Sequence, residues 1–162
     1  MQLALLDQKE NNEPAMLAHL EQARKAEPGA LPPRLMLAQV FLSAGKPEQV
    51  APLFSDLDKQ QQQSPEVLPM LAMAQLSMND AAGAKYNLEQ LLKVAPETAA
   101  IRHAMAMAVA GTGNEEGAIK ELQRAIELDP DYVVSRITLA KIALSRTDYD
   151  EFRKQLKQLT EL

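Results

Sequence analysis

Cysteine and tryptophan are absent from this sequence, and it holds only three tyrosines and three phenylalanines. Without cysteine there is neither a disulfide framework nor a thiolate metal site, so redox chemistry says nothing of the compartment. No stretch approaches the roughly twenty consecutive apolar residues of a membrane span, and the opening residues MQLALLDQKENNEP carry no positively charged leader. A net charge of −5, with basic residues scattered rather than striped, offers no field to attract nucleic acid or anionic lipid. What is abundant is Ala, Leu, Met, Gln, Glu and Lys, all strong helix formers, and an all-α chain is expected.

A stride of thirty-four residues returns the same small side chain each time: Ala4, Ala38, Ala72, Ala106 and Ala140, each preceded by Leu or Met. Such periodicity marks an array of copies of one unit. With the Leu-Ala pair at positions 7 and 8, the copies run over residues 31–64, 65–98, 99–132 and 133–162, after an incomplete copy at 1–30. The opening thus falls partway into a copy, and the chain is expected to be a piece of a longer array. Apolar residues recur in each copy in two helically spaced bursts, such as Met105, Ala108 and Val109 followed by Ala118, Leu122 and Ala125. Two amphipathic helices per copy follow, giving about five helical hairpins.

Punctuation between the bursts agrees. Position 15 is Asn11, Gly45, Asn79, Gly113 or Thr147, mostly residues that tolerate the left-handed conformation ending a helix. Position 16 is Asn12, Lys46, Asp80, Asn114 or Asp148, mostly side chains that can accept from the free N–H groups of the next helix. Pro14 and Pro47 fall in that helix's first turn, where a missing N–H costs nothing. Pro28, Pro96 and Pro130 end the second helix, and Ser64 before Pro65 and Glu66 is expected to cap the first helix of the third copy. The run Gln60 to Gln63 reads as the solvated end of a second helix. Ala at position 8 lets two helix axes approach closely where they cross, and position 24 (Leu20, Phe54, Leu88, Leu122, Leu156) supplies the facing bulk.

A two-helix unit of thirty-four residues with Leu-Ala at positions 7 and 8, small or apolar residues at 20, 24 and 27, and Pro at 32 resembles the tetratricopeptide repeat (TPR), best in residues 99–132. The resemblance implies an α-α superhelix, a TPR solenoid. Position 4, often Trp in that family, is Arg34, Leu68, Arg102 or Arg136 here, and the alkyl stem of Arg can cover apolar surface while its head reaches water. Residues 67–99 and 119–144 are also similar to the long tetratricopeptide lipoproteins of bacterial exosortase and exopolysaccharide loci, the PEP-CTERM-system type. That likeness implies a lipid-anchored envelope protein serving polysaccharide export; without it, a cytoplasmic location is expected.

Clusters for hydrolytic or metal chemistry do not assemble in the sequence. His19 and His103 lie in different copies, and His19 beside Leu20 and Glu21 reads as a surface or packing residue. Gly111 and Gly113 in AGTGNEE are explained by the turn, and the acidic residues Glu115, Glu116, Asp148, Asp150 and Glu151 by the helix N-termini they sit on. No enzyme activity and no cofactor or metal are expected.

In a stack of this type the first-helix positions 2, 5, 9 and 12 face away from the partner helix and line the concave side. They are Leu35, Gln39 and Leu42; Pro69, Met73 and Leu76; His103, Met107 and Ala110; and Val134, Ile137, Lys141 and Leu144. Family members that grip a peptide's terminal carboxylate use Lys, Arg and Asn there, and only Lys141 is of that type, so no such clamp is expected. This apolar stripe has two readings. It is a groove for a partner's apolar helix or extended segment, with the methionines as adaptable contacts, or its side chains are covered by one another and by neighbouring copies. The function expected is a protein-binding scaffold. The alternatives are a carbohydrate-binding or self-associating adaptor that pairs through exposed end copies, and, remotely, an enzyme with an unrecognised site.

Overall fold

In a computed structural model of the chain, residue 2 and residues 13–161 are described. The described residues form helices and turns and no strand, the all-α hairpin-repeat architecture expected. The chain divides between Met78 and Asn79 into two compact units.

The first unit contains α1 (Glu13–Ala26), α2 (Leu31–Ser43), two 3₁₀ turns (Pro47–Gln49 and Ala51–Leu53), the one-turn α3 (Lys59–Gln62) and α4 (Val67–Ser77). Helix α1 packs on α2, and α2 packs on α4 and on both 3₁₀ turns. Met16 and Leu20 of α1, Leu37 and Ala38 of α2, and Val67 and Ala74 of α4 close one buried cluster. The sequence predicts a continuous second helix after Lys46, and the structure corrects this. Pro52 lacks an N–H and its ring would clash with the Glu48 carbonyl in an α-helix. The segment instead closes i→i−3 bonds, from Val50 N to the Pro47 carbonyl and from Phe54 N to the Ala51 carbonyl. The apolar residues of the burst keep their task, since Val50, Leu53, Phe54 and Leu57 are all buried in the cluster. The glutamine run is likewise not the end of a long helix, because Asp58 starts a separate turn by accepting from Gln61 N. Ser64 caps through its backbone carbonyl, which accepts from Val67 N and Leu68 N, while its buried hydroxyl is unpaired.

The second unit contains α5 (Ala81–Val94), α6 (Ala99–Gly111), α7 (Glu115–Leu128), α8 (Val133–Ser145) and α9 (Tyr149–Thr160), each packed on the next. Asp80, Asn114 and Asp148 cap α5, α7 and α9 by accepting from Gly83 N, Gly117 N and Glu151 N, as position 16 predicts. The position-15 residues Gly45, Asn79, Gly113 and Thr147 all have positive φ, and Asn11, with Ala4 and Asn12, lies outside the described residues. Helices α2, α6 and α8 end identically: Gly45, Gly113 and Thr147 N–H donate to the carbonyls of Leu42, Ala110 and Leu144, and the following residues donate to those of Phe41, Val109 and Ala143.

Ala38, Ala72, Ala106 and Ala140 are all buried, as are Leu20, Phe54, Leu88 and Leu122 at position 24. Leu156 departs from that set and is 43% exposed, because α9 packs on α8 with no further hairpin over its other face among the described residues. The arginines depart further from expectation. Arg34 is fully buried, and its guanidinium donates to the carbonyls of Leu53 and Pro28 and to both Asp56 oxygens, at 2.6 and 2.9 Å. Arg136, also buried, donates to the Pro130 carbonyl at 3.1 Å and to Gln158 Oε1 at 2.6 Å. Their heads do not reach water; they clasp the proline turn entering the copy and the second half of the same copy.

Two stability effects follow. Thr147 holds a φ of 58°, which a β-branched side chain adopts only with strain. Thr147→Gly should raise unfolding stability by about 1 kcal/mol in urea titration. A Cβ at Gly111 would lie 2.6 Å from the Ala81 Cβ, at the close approach of α5 and α6. Gly111→Ala should therefore lower the urea midpoint by an overpacking cost of about 1–3 kcal/mol, despite alanine's better helix propensity.

Candidate functional site

Helix α6 begins where Thr98 Oγ1 accepts from Ile101 N, and the left-handed Gly113 closes the turn after it; α8 follows the Pro130 turn, and the left-handed Thr147 closes the turn after it. The two helices are joined through His103 of α6. Its Nδ1 is hydrogen-bonded at 3.1 Å to the buried hydroxyl of Ser135 on α8, and its ring meets Tyr132 edge-on at 5.8 Å. Burial holds the His103 imidazole below the usual histidine range, which favours the neutral ring.

Beside this junction the predicted stripe residues of the second unit stand open. Met107 is 44% exposed, Val134 49%, Ile137 40% and Leu144 49%, and Ala110 and Lys141 are exposed with them. His103 itself is half-buried. In the first unit the stripe is more covered. Leu35 and Leu42 are partly buried and packed on the core cluster, Pro69 and Leu76 are half-buried, and Gln39 and Met73 are exposed.

Several other charges of the second unit are engaged in ion pairs. Glu97 accepts from Arg102 at 2.6 Å and from Arg124, while Arg102 also donates to Glu121 at 3.0 Å. The Arg124 hydrogen bond first, and then that of Arg102, hold the Glu97 carboxyl below its ordinary value. Arg146 pairs with Glu116 and, at 3.5 Å, with Glu115. With Leu139 and Ala143 it lines a cleft of about 230 Å³. The acidic residues of the α7 N-terminus thus have a cationic partner besides the helix dipole. Sequence reasoning missed these pairs, although an acid five residues before an inward-facing Arg was a signal for one of them. Among the described residues, no three His, Asp or Glu side chains group to hold a metal ion, and no helix is long and apolar enough to cross a membrane.

The chain matches the tetratricopeptide repeat over residues 5–74 and 111–162. No curated protein matches it in sequence. Its fold is similar to the crystal structure of MamA, with a TM-score of 0.83 at 17% identity over 99% of this chain and 96% of that one. It is similar also to MamA 41-end from Desulfovibrio magneticus RS-1, with a TM-score of 0.82 at 16% identity over 99% and 89%. TTC0263, a thermophilic TPR protein in Thermus thermophilus, gives 0.75 at 21% identity over 98% and 88%. At such identities the likeness speaks for the fold.

The junction at His103 should be sensitive to pH. Its folded-state pKa lies below the ordinary 6.5, so the unfolded chain binds more protons between the two values. Stability is complete above 6.5 and falls as pH drops through that value towards the folded-state pKa. Glu97 and Asp56, held low, act in a separate window: their contribution is present above 4.5 and 3.8 respectively and is lost below. The urea midpoint should therefore fall between about pH 7.5 and 5.5, and His103→Asn should flatten that fall. An unchanged fall in the variant would assign it to another group.

Proposed function

The chain belongs to the tetratricopeptide-repeat family, and from that premise we propose that it is a non-enzymatic scaffold that binds an apolar segment of a protein partner on the open stripe of α6 and α8. The observation that carries the reading is the simultaneous exposure of Met107, Val134, Ile137 and Leu144 beside a fixed interhelical junction. Isolated exposed apolar residues need no explanation, but Val134, Ile137 and Leu144 share one face of α8, and a set of that kind marks a surface that gains by being covered. Met107 adds an unbranched, polarizable side chain that adapts to different partners. A non-catalytic role is favoured because the hydroxyl that engages His103 belongs to Ser135, which is fully buried and so closed to a substrate.

The cellular setting we propose is the bacterial envelope, in a complex serving exopolysaccharide export. Its support is the similarity of residues 67–99 and 119–144 to tetratricopeptide lipoproteins of exosortase loci. Fractionation of the native cells tests it, and recovery of the protein wholly in the cytosol would refute it.

Crosslinking in the native cell, followed by affinity recovery, tests the stripe. Met107→Asp and Ile137→Asp should each reduce recovery of the wild-type partner about tenfold or more while leaving helicity unchanged. The same partners recovered in the same yield from both variants would remove the stripe from consideration.

A further inference from the structure

Sulfur in this chain is carried by methionine alone. There are eight methionines and neither cysteine nor tryptophan. No thiol or indole competes for a mild oxidant, so a hydroperoxide attacks the thioethers first. The fold sorts these by exposure. Met16 is buried, Met36 and Met70 pack against the core cluster of the first unit, and Met73 and Met78 are exposed. Met105 and Met107 lie two residues apart on α6, yet the first is 4% exposed and the second 44%. Two residues along a helix are rotated by about 200°, so one side chain enters the core and the other leaves it.

Met73 and Met107 both hold position 9 of their copies, on the candidate stripe. In the second unit the other large apolar residues that stand open on that stripe, Val134, Ile137 and Leu144, are hydrocarbons and inert to peroxide. Met107 is thus the one apolar side chain of that stripe whose polarity an oxidant can change. Met105, shielded in the core of the same helix, keeps its thioether while Met107 reacts.

On the reading that an apolar partner segment covers this stripe, we infer that Met107 is a modification site: a hydroperoxide converts its thioether to the sulfoxide and releases the partner, and a dithiol-dependent sulfoxide reductase restores binding. A lone pair on Sδ attacks one peroxide oxygen, and the S–O bond forms as the O–O bond breaks. The departing hydroxide takes the proton of the new S–OH group and leaves as water. Sulfur loses two electrons and the peroxide gains them. In the return step two thiols supply two electrons and two protons, the oxygen leaves as water, and the thiols end as a disulfide. The sulfoxide is polar and chiral where the thioether was flexible and apolar. Pressed under an apolar segment, it loses its water and gains no hydrogen bond.

The test treats the intact chain with dilute hydrogen peroxide at neutral pH and follows oxygen uptake at each methionine by peptide mass spectrometry, with fragmentation to separate Met105 from Met107. Met107 and Met73 should oxidise about tenfold or more faster than Met105 and Met16. Equal rates at Met105 and Met107 would overturn the site. Binding is read on a Met73→Leu chain, which isolates the second unit, by the anisotropy of a fluorescent peptide of leucine and serine that peroxide leaves unchanged. Oxidation should weaken binding about fivefold to tenfold with helicity unchanged. A methionine sulfoxide reductase with dithiothreitol should restore it. Adding Met107→Leu should preserve binding and abolish its response to peroxide, whereas adding Met78→Leu should leave the response in place, since Met78 lies off the stripe at the end of α4. A loss of binding that tracks a loss of helicity would assign the effect to unfolding and overturn the switch. If Met107→Asp weakens binding but the sulfoxide does not, the switch fails and the groove reading stands. If Met107→Asp leaves binding unchanged, or the peptide does not bind at millimolar concentration, both fall.

Discussion

The absence of anything larger than a methyl group at position 8 is the constraint on which the other packing depends. Ala38, Ala72, Ala106 and Ala140 are buried, and paired helices can approach to about 8–10 Å only if the residue at the crossing is small. At that separation position 24 contributes bulk without a clash, as Leu88 and Leu122 do. The same closeness reappears at Gly111, where even a methyl would meet Ala81. Larger side chains are displaced to the flanks, where position 4 becomes a clasp in Arg34 and Arg136. Burying Arg34 is tolerable because carbonyls and a carboxylate surround its guanidinium; removal of those partners would leave an isolated charge.

The turns and caps were legible in the sequence because they are local chemistry. Asp80, Asn114 and Asp148 each cap a helix three residues on, and Gly45, Asn79 and Gly113 each supply the backbone freedom a left-handed turn requires. Thr147 shows the strength of the repeat over propensity, since it adopts the same φ against its own preference. The second half of the copy at 31–64 was legible only in part. Phe54 at position 24 is buried as its place in the copy predicts, together with Val50, Leu53 and Leu57, yet Pro52 changed the backbone that presents them. Burial pattern and helix are separable, and two 3₁₀ turns served the same positions. The Arg34 clasp was not legible, because its partner Asp56 lies 22 residues on and beyond that irregular stretch.

The candidate stripe shows why periodicity alone does not measure accessibility. Leu35 and Leu42 hold the same positions in their copy as Ile137 and Leu144 in theirs, but the first pair packs on a core cluster and the second stands open. Position within a copy sets the direction of a side chain, whereas its neighbours set how much water it meets. Charge is sorted in the same manner. Ion pairs among Glu97, Arg102, Glu121 and Arg124, and among Glu115, Glu116 and Arg146, keep the carboxylates and guanidinia together, whereas Arg136 of α8 is held by uncharged acceptors.

The division of the chain at Met78 and Asn79 falls inside the copy at 65–98, in the turn between its two helices. The thirty-four-residue period of the sequence and the compact unit of the fold are therefore out of phase by one helix. Loss or gain of a whole copy by recombination at residue 64 would separate α4 from the core that Val67 and Ala74 complete. A break at the left-handed Asn79 would leave that core intact. Sequence period and compact packing thus divide this chain at different places.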